Sequence, residues 1–226
     1  KIIIIGAGMV GLSLAYQLRE KLPNRKIILL EKESDVGMHS SGRNSGVLHA
    51  GIYYKPNSLK AKVCINGSKR LKKWCRSVGI EILECGKVIV AQDPELDSQL
   101  DFLLERGKSN GAQIEIISET RFKSLVPFGR ASSRRALWSP STAVVNPKEV
   151  IKKLEKVLLS NNVEIIFNCE INTIEPDKNL LSFSVDNTNS EICYAHLFNC
   201  AGLNSDHIAR LFGLAKKKTI LPFKGI

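Results

Sequence analysis

Hydrophobic residues open the chain as a block. Ile2-Ile3-Ile4-Ile5 is a continuous β-branched run, the pattern of a strand buried on both faces. Residues 9–22 then place Val10, Leu14, Ala15 and Leu18 at helical spacing, Pro23-Asn24 breaks the period, and residues 26–30 form a second apolar run. Strand, glycine turn, helix and strand in this order predict a βαβ unit.

The period disappears over residues 34–58, a stretch rich in Gly, Ser, Asn and His. A loop of that length inside a compact domain is usually functional or mobile. Helices are expected over 58–78, 94–110, 121–125 (capped from Ser118), 147–159 and 204–212. Strands are expected at 88–90, 114–117, 136–138, 143–145, 163–167, 171–174, 180–185, 192–199 and 219–223, with a turn at 187–190. The order is mixed. It predicts an α/β protein, a Rossmann-type domain interrupted by part of an α+β second domain. Residues 1–80 and 147–215 are the two parts of the first, 81–146 is the insert, and 216–226 begins a further segment of the second.

Composition narrows the class. Apolar residues make up 43% of the 226 and charged residues 24%, which fits a globular chain and not a disordered one. No apolar run is long enough to span a bilayer, and the opening isoleucines are too few for a secretory signal. The chain starts at Lys1, so a few residues are expected upstream. Cys64, Cys75, Cys85, Cys169, Cys193 and Cys200 show no C-x-x-C pair and no spacing for a metal. They read as small reduced core residues of a cytoplasmic protein. The net charge is +11, concentrated in residues 60–76, where Leu71, Trp74, Cys75 and Val78 take one helix face and the lysines and arginines the other. That describes a solvated face. No nucleic-acid module is present, so nucleic acid is not an expected partner. A basic surface does suit peripheral contact with an anionic membrane.

The chemistry begins at Gly6-Ala7-Gly8-Met9-Val10-Gly11. This G-x-G-x-x-G follows a predicted strand and opens a helix. Gly6 permits the tight turn, Gly8 lets backbone approach a pyrophosphate, and Gly11 lets helix and sheet close up. The helix start offers free N–H groups to phosphate. Glu31 ends the second strand twenty residues beyond Gly11, where a carboxylate accepts bonds from ribose hydroxyls and repels a 2′-phosphate. Together these features predict a dinucleotide, FAD or NAD in preference to NADP. The small and polar loop that follows Glu31 favours FAD, because a flavin ring needs close backbone and donors along its polar edge.

Sequence motifs sharpen this. The chain resembles the D-amino-acid-oxidase-like family of FAD-dependent oxidoreductases. The resemblance is carried by the fingerprint with Glu31-Lys32, by Ser41-Gly42-Arg43-Asn44-Ser45-Gly46 through His49-Ala50-Gly51-Ile52-Tyr53-Tyr54, by Cys85-Gly86-Lys87-Val88-Ile89-Val90-Ala91 and by Asn199-Cys200-Ala201-Gly202. It runs along nearly the whole chain. It implies that Met9, Val10, Lys32, Ser41, Asn44, Ser45 and Gly46 join the glycines and Glu31 in holding FAD. Ile171 falls to the adenine side, with Ala201 and Gly202 close to the dinucleotide. Family members continue past residue 226, so the chain is expected to be C-terminally truncated. It departs from the family pattern at Thr142-Ala143-Val144-Val145-Asn146 and at Lys224.

The family's implied reaction is oxidation of a small 2-hydroxy acid, L-2-hydroxyglutarate to 2-oxoglutarate, with oxygen, a quinone or an electron-transfer protein as electron acceptor. An amino acid or glycerol 3-phosphate is the alternative substrate, and an inactive FAD-binding fragment the alternative to an enzyme. His49 is the candidate base, since imidazole accepts protons near neutral pH, with flavin packing as its other reading. Arg43, Tyr53, Tyr54 and Lys224 are candidates for holding substrate carboxylates. His39, His196 and His207 show no partner pattern.

Overall fold

The isoleucine run forms strand Ile2–Ile5 (β1), buried along its length. Helix Met9–Lys21 (α1) and the equally buried strand Ile27–Leu30 (β2) follow, and β1 and β2 pair in parallel. The chain continues through Val47–Leu48 (β3), Leu59–Ser77 (α2), Lys87–Ile89 (β4), Ser98–Ser109 (α3), Glu115–Ser118 (β5) and Glu119–Leu125 (α4). Next come Arg135–Ser139 (β6), Ala143–Val144 (β7), Pro147–Ser160 (α5), Glu164–Ile166 (β8) and Cys169–Glu175 (β9). Leu180–Val185 (β10), Thr188–Cys193 (β11), His196–Asn199 (β12) and Ser205–Leu211 (α6) complete the elements. This is a computed structural model, and residues 1–222 are described. Lys224 lies outside them.

The chain divides into two units, Lys1–Asn44 with the chain from Pro147 onward, and Ser45–Asn146. Residues 45–80 therefore group with the second unit, although the sequence pattern placed them with the first. Helical periodicity shows that α2 has an apolar face but not which core that face joins.

In the first unit the parallel sheet runs β12-β1-β2-β8. Successive side chains leave a strand on opposite faces. Ile3, Ile5, Ile28 and Leu30 share one core with Leu181 and Phe183 of β10, Ile174 of β9, Tyr194 and Ile208 of α6. On the other face α1 lies against β1, β2 and α5, and Leu12, Ala15, Val150 and Leu154 are buried. The second sheet is antiparallel, β11-β10-β9.

Three expectations change here. The turn after β10 is Asp186-Asn187, both at positive φ, closing a two-residue hairpin with Val185 opposite Thr188; residues 188–190 are already strand. The strand expected over 192–199 is two strands in different sheets. Tyr194 N–H donates to Asn179 O and Ala195 N–H to Lys1 O, so the chain changes partner between them. No strand forms at residues 219–222, where Ile220 N–H donates to the Asp206 carboxylate instead; Phe223 lies outside the described residues.

In the second unit, β6 is the centre of the antiparallel sheet β4-β6-β5, and β3 pairs with β7. Leu100 of α3 packs on Leu137, Ile52, Ala91 and Ile114. The helix expected over 94–110 begins as a separate 3₁₀ turn, Pro94–Leu96, because the Asp93 carboxylate accepts from Glu95 N–H and caps it there. Among the described residues no helix is long and apolar enough to cross a membrane.

Candidate functional site

A cleft of about 480 Å³ opens within the first unit at the carboxyl ends of β1, β2 and β12. β1 has β2 on one side and β12 on the other, so the strand order reverses at its end. Open parallel sheets bind ligands at such switch points. Gly6, Gly8, Val10, Glu31, Lys32, Ser41, Ile171, Ala201 and Gly202, all marked from sequence, line this cleft.

Each is held by local structure. Gly6 sits at φ +102°, and a Cβ there would stand 2.5 Å from the Cys200 carbonyl oxygen, so only glycine lets the β12 end pass this turn. Gly202 also has positive φ, +56°, but open space around it. Glu31 is buried and accepts two backbone bonds, from Ala7 N–H at 2.7 Å and Glu33 N–H at 3.0 Å. Each carboxylate oxygen has a second lone pair, which leaves room for ribose hydroxyls. Met9 N–H donates to Ser41 Oγ at 2.9 Å, a cap supplied from the distant loop, and no acidic side chain stands in the first turn of α1. Asn44 Nδ2 donates to the carbonyls of Ser40 and Ser41, fixing that loop. Arg43 is exposed.

Several lining residues carry no mark in the sequence. His39 and His207 both face the cleft. His39 Nε2 lies 2.8 Å from Glu33 Oε1, and hydrogen bonds from Lys32 and then His39 hold the Glu33 carboxyl below its usual range. Cys169 and Cys200 also line it. Burial, then the Glu31 charge, pushes the Cys169 thiol up to about 12. The expectation of six core cysteines is corrected, since Cys85, in the loop before β4, and Cys193, on the edge strand β11, are exposed.

Ser45, Gly46, His49, Tyr53 and Tyr54 belong to the second unit. Gly46 O accepts from Val145 N–H at 3.0 Å. The His49 and Tyr53 rings meet edge to face, centroids 6.5 Å apart. Burial, then the Lys87 charge, lowers the His49 pKa. Lys87 Nζ stands 4.6 Å from the Tyr53 ring centroid and Lys60 Nζ 5.3 Å from that of Tyr54. Lys87 is invisible to a reading of local pattern, because its partners lie in a loop far from it in sequence.

The residues present fit a dinucleotide such as FAD. Gly6 and Gly11 have no room for side chains, a buried carboxylate with spare acceptor capacity follows β2, and the helix start is free of acidic groups. Comparison with known proteins agrees. The family model described as FAD dependent oxidoreductase, DAO, matches residues 1–226. A protein named L-2-hydroxyglutarate dehydrogenase, mitochondrial, from Pongo abelii is 37% identical over 99% of this chain and 56% of its own length. The L-2-hydroxyglutarate dehydrogenase of Escherichia coli (strain K12) is 34% identical over 99% of this chain and 52% of its own. The chain thus spans about half the length of these relatives. Among solved structures, L-alpha-glycerophosphate oxidase from Mycoplasma pneumoniae with FAD bound superposes with a TM-score of 0.80 at 26% identity, covering 93% of this chain and 56% of that one.

Proposed function

The chain belongs to the family of FAD-dependent oxidoreductases, and from that membership we propose that its first unit holds FAD at the β1–β12 switch point and that the protein oxidises L-2-hydroxyglutarate to 2-oxoglutarate. The cofactor reading is supported by the buried Glu31 carboxylate beside the glycine turn. The substrate reading is supported by relatives that carry that activity in their names and align along 99% of this chain.

FAD supplies the acceptor for the hydride that leaves the substrate α-carbon. The chain's own residues do the rest. Gly6, Gly8, Met9, Val10 and Gly11 present backbone to the pyrophosphate. Glu31 takes the ribose hydroxyls, with Lys32 beside it. Ser41, Asn44, Ser45 and Gly46 hold the loop that runs along the cofactor, and Ile171, Ala201 and Gly202 flank the dinucleotide. His49 takes the hydroxyl proton of the substrate, so that loss of a hydride and a proton leaves the 2-oxo acid. Arg43, Tyr53 and Tyr54 hold substrate carboxylates. Oxygen, a quinone or an electron-transfer protein then takes the electrons.

The test is anaerobic mixing of the FAD-loaded protein with L-2-hydroxyglutarate, with L-amino acids and glycerol 3-phosphate as comparisons. Bleaching of the flavin band by L-2-hydroxyglutarate alone supports the proposal. A flavin that stays oxidised with it, or that glycerol 3-phosphate bleaches faster, overturns the substrate assignment.

A further inference from the structure

Within the second unit two lysines lie over the rings of neighbouring tyrosines, and an arginine, itself stacked on Phe102, bonds the backbone between them. Lys87 Nζ lies over the ring of Tyr53, Lys60 Nζ over that of Tyr54, and Arg106 Nη1 donates to Tyr53 O at 3.1 Å. His49 meets the Tyr53 ring edge on. Among the described residues no carboxylate pairs with any of the three cations. Clustered like charges repel, and they are usually balanced by an acidic neighbour. Lys60 is exposed and water serves it, but Lys87 is half-buried and, among the described residues, has only the Tyr53 ring beside its charge.

The geometry is also fixed. Asn110, the residue that ends α3, donates from Nδ2 to Gly51 O at 2.9 Å and to Tyr54 O at 2.8 Å and so grips both ends of the tyrosine turn. Lys87 stands opposite Ser139 in the β4–β6 ladder. The preceding Gly86 donates its N–H to Thr142 O at 3.0 Å and packs so closely under the Trp138 ring that a Cβ would collide with it. The backbone that carries Lys87 is therefore pinned, while its long side chain rests on a ring. A cation–π contact at a part-exposed site is weak, and an anion readily displaces it.

We propose that Lys87 is a specificity-determining residue, which with Tyr53 and His49 forms a site for a carboxylate of the anionic substrate. This rests on the proposed oxidation of a 2-hydroxy acid and adds the group that selects for negative charge. The charge of Lys87 also disfavours a proton on His49, which keeps the imidazole in the form that accepts one.

The experiment uses the FAD-loaded protein and two readouts. In anaerobic flavin reduction, Lys87→Met should raise the half-saturating L-2-hydroxyglutarate concentration about ten- to hundredfold, the loss expected for one charge-assisted bond, and change the limiting rate little. Lys87→Arg should restore most of the affinity. Independently of turnover, 2-oxoglutarate should shift the His49 imidazole proton resonances in the wild type and the Arg variant, but not in the Met variant. Half-saturation unchanged in a folded Lys87→Met protein overturns the inference, as does a His49 shift that persists without the lysine. If L-2-hydroxyglutarate fails to reduce the flavin while the Lys87-dependent shift remains, the anion site stands and the substrate assignment falls. Absence of both responses overturns both.

Discussion

Glu31 Oε2 accepts the backbone N–H of Ala7 at 2.7 Å, across 24 positions of sequence. The bond ties the end of β2 to the glycine turn after β1. The second oxygen accepts Glu33 N–H at 3.0 Å. The carboxylate assigned to the cofactor ribose is thus also a structural link, buried between the two strands that form the cleft.

Glu31→Gln keeps the shape of the side chain but removes its charge and one acceptor. The amide keeps one acceptor oxygen, but its NH₂ end then faces a backbone N–H. One bond to a charged acceptor is lost, about 1.5–3 kcal/mol. The apoprotein should unfold at lower denaturant, and FAD should bind more weakly in a fluorescence titration. Weaker FAD binding with an unchanged unfolding midpoint would show that the lost backbone bond adds no stability.

Two glycines should respond oppositely to alanine. At Gly11 the added Cβ would run into the Gly6 carbonyl oxygen. Overpacking of this kind costs about 1–3 kcal/mol, and it would open the turn that FAD requires. Gly67 sits exposed inside α2 with nothing within 4 Å of an added Cβ. Its replacement should stabilise by about 0.5–1 kcal/mol through helix propensity. Thermal unfolding of the two variants checks both signs.

Cysteine reactivity should map the cleft. Exposed Cys85 and Cys193 should alkylate first. Cys169, buried and with its thiol pushed up to about 12, should be among the slowest at mildly alkaline pH. Cys200 lines the cleft, and burial raises its thiol less far, so it should react at an intermediate rate in apoprotein. Added FAD should slow Cys200 and leave Cys85 unchanged. Peptide mass spectrometry over a time course reads all four, and a Cys200 rate indifferent to FAD would place the cofactor elsewhere.

The first unit was readable from sequence where its causes are local. Apolar runs with β-branching make β1 and β2, and three glycines and one carboxylate at fixed offsets make the turn and the buried acceptor beside it. The larger failures arise where the deciding contact lies far along the chain. Nothing in Ile192 to Asn199 signals that Tyr194 N–H goes to Asn179 and Ala195 N–H to Lys1, so one predicted strand becomes two. The apolar face of α2 says that the helix is half buried but not against what. His39 and Lys87 gain meaning only from Glu33 and Tyr53 in space. The Asp186-Asn187 turn is different, since both residue types tolerate positive φ and the signal was present in the sequence.

His49 gives a prediction whose sign follows from its surroundings. Burial and then the Lys87 charge both oppose the protonated imidazole, so its pKa lies below the ordinary 6.5. A depressed folded pKa means that the neutral form is favoured by the fold. Its contribution to stability is full above 6.5 and is lost as pH falls through the folded value. If His49 is the base, the rate of flavin reduction should rise with pH along an acid limb centred below 6.5, and it should already be near its plateau at neutral pH. Lys87→Met should move that limb upward only part of the way, because burial is the larger cause and remains. His49→Ala should slow reduction by about 10²–10⁴-fold and remove the limb. Stopped-flow reduction across pH measures all three. A limb above 6.5 would assign it to a different group, and an unchanged rate in His49→Ala would leave His49 as packing against the cofactor.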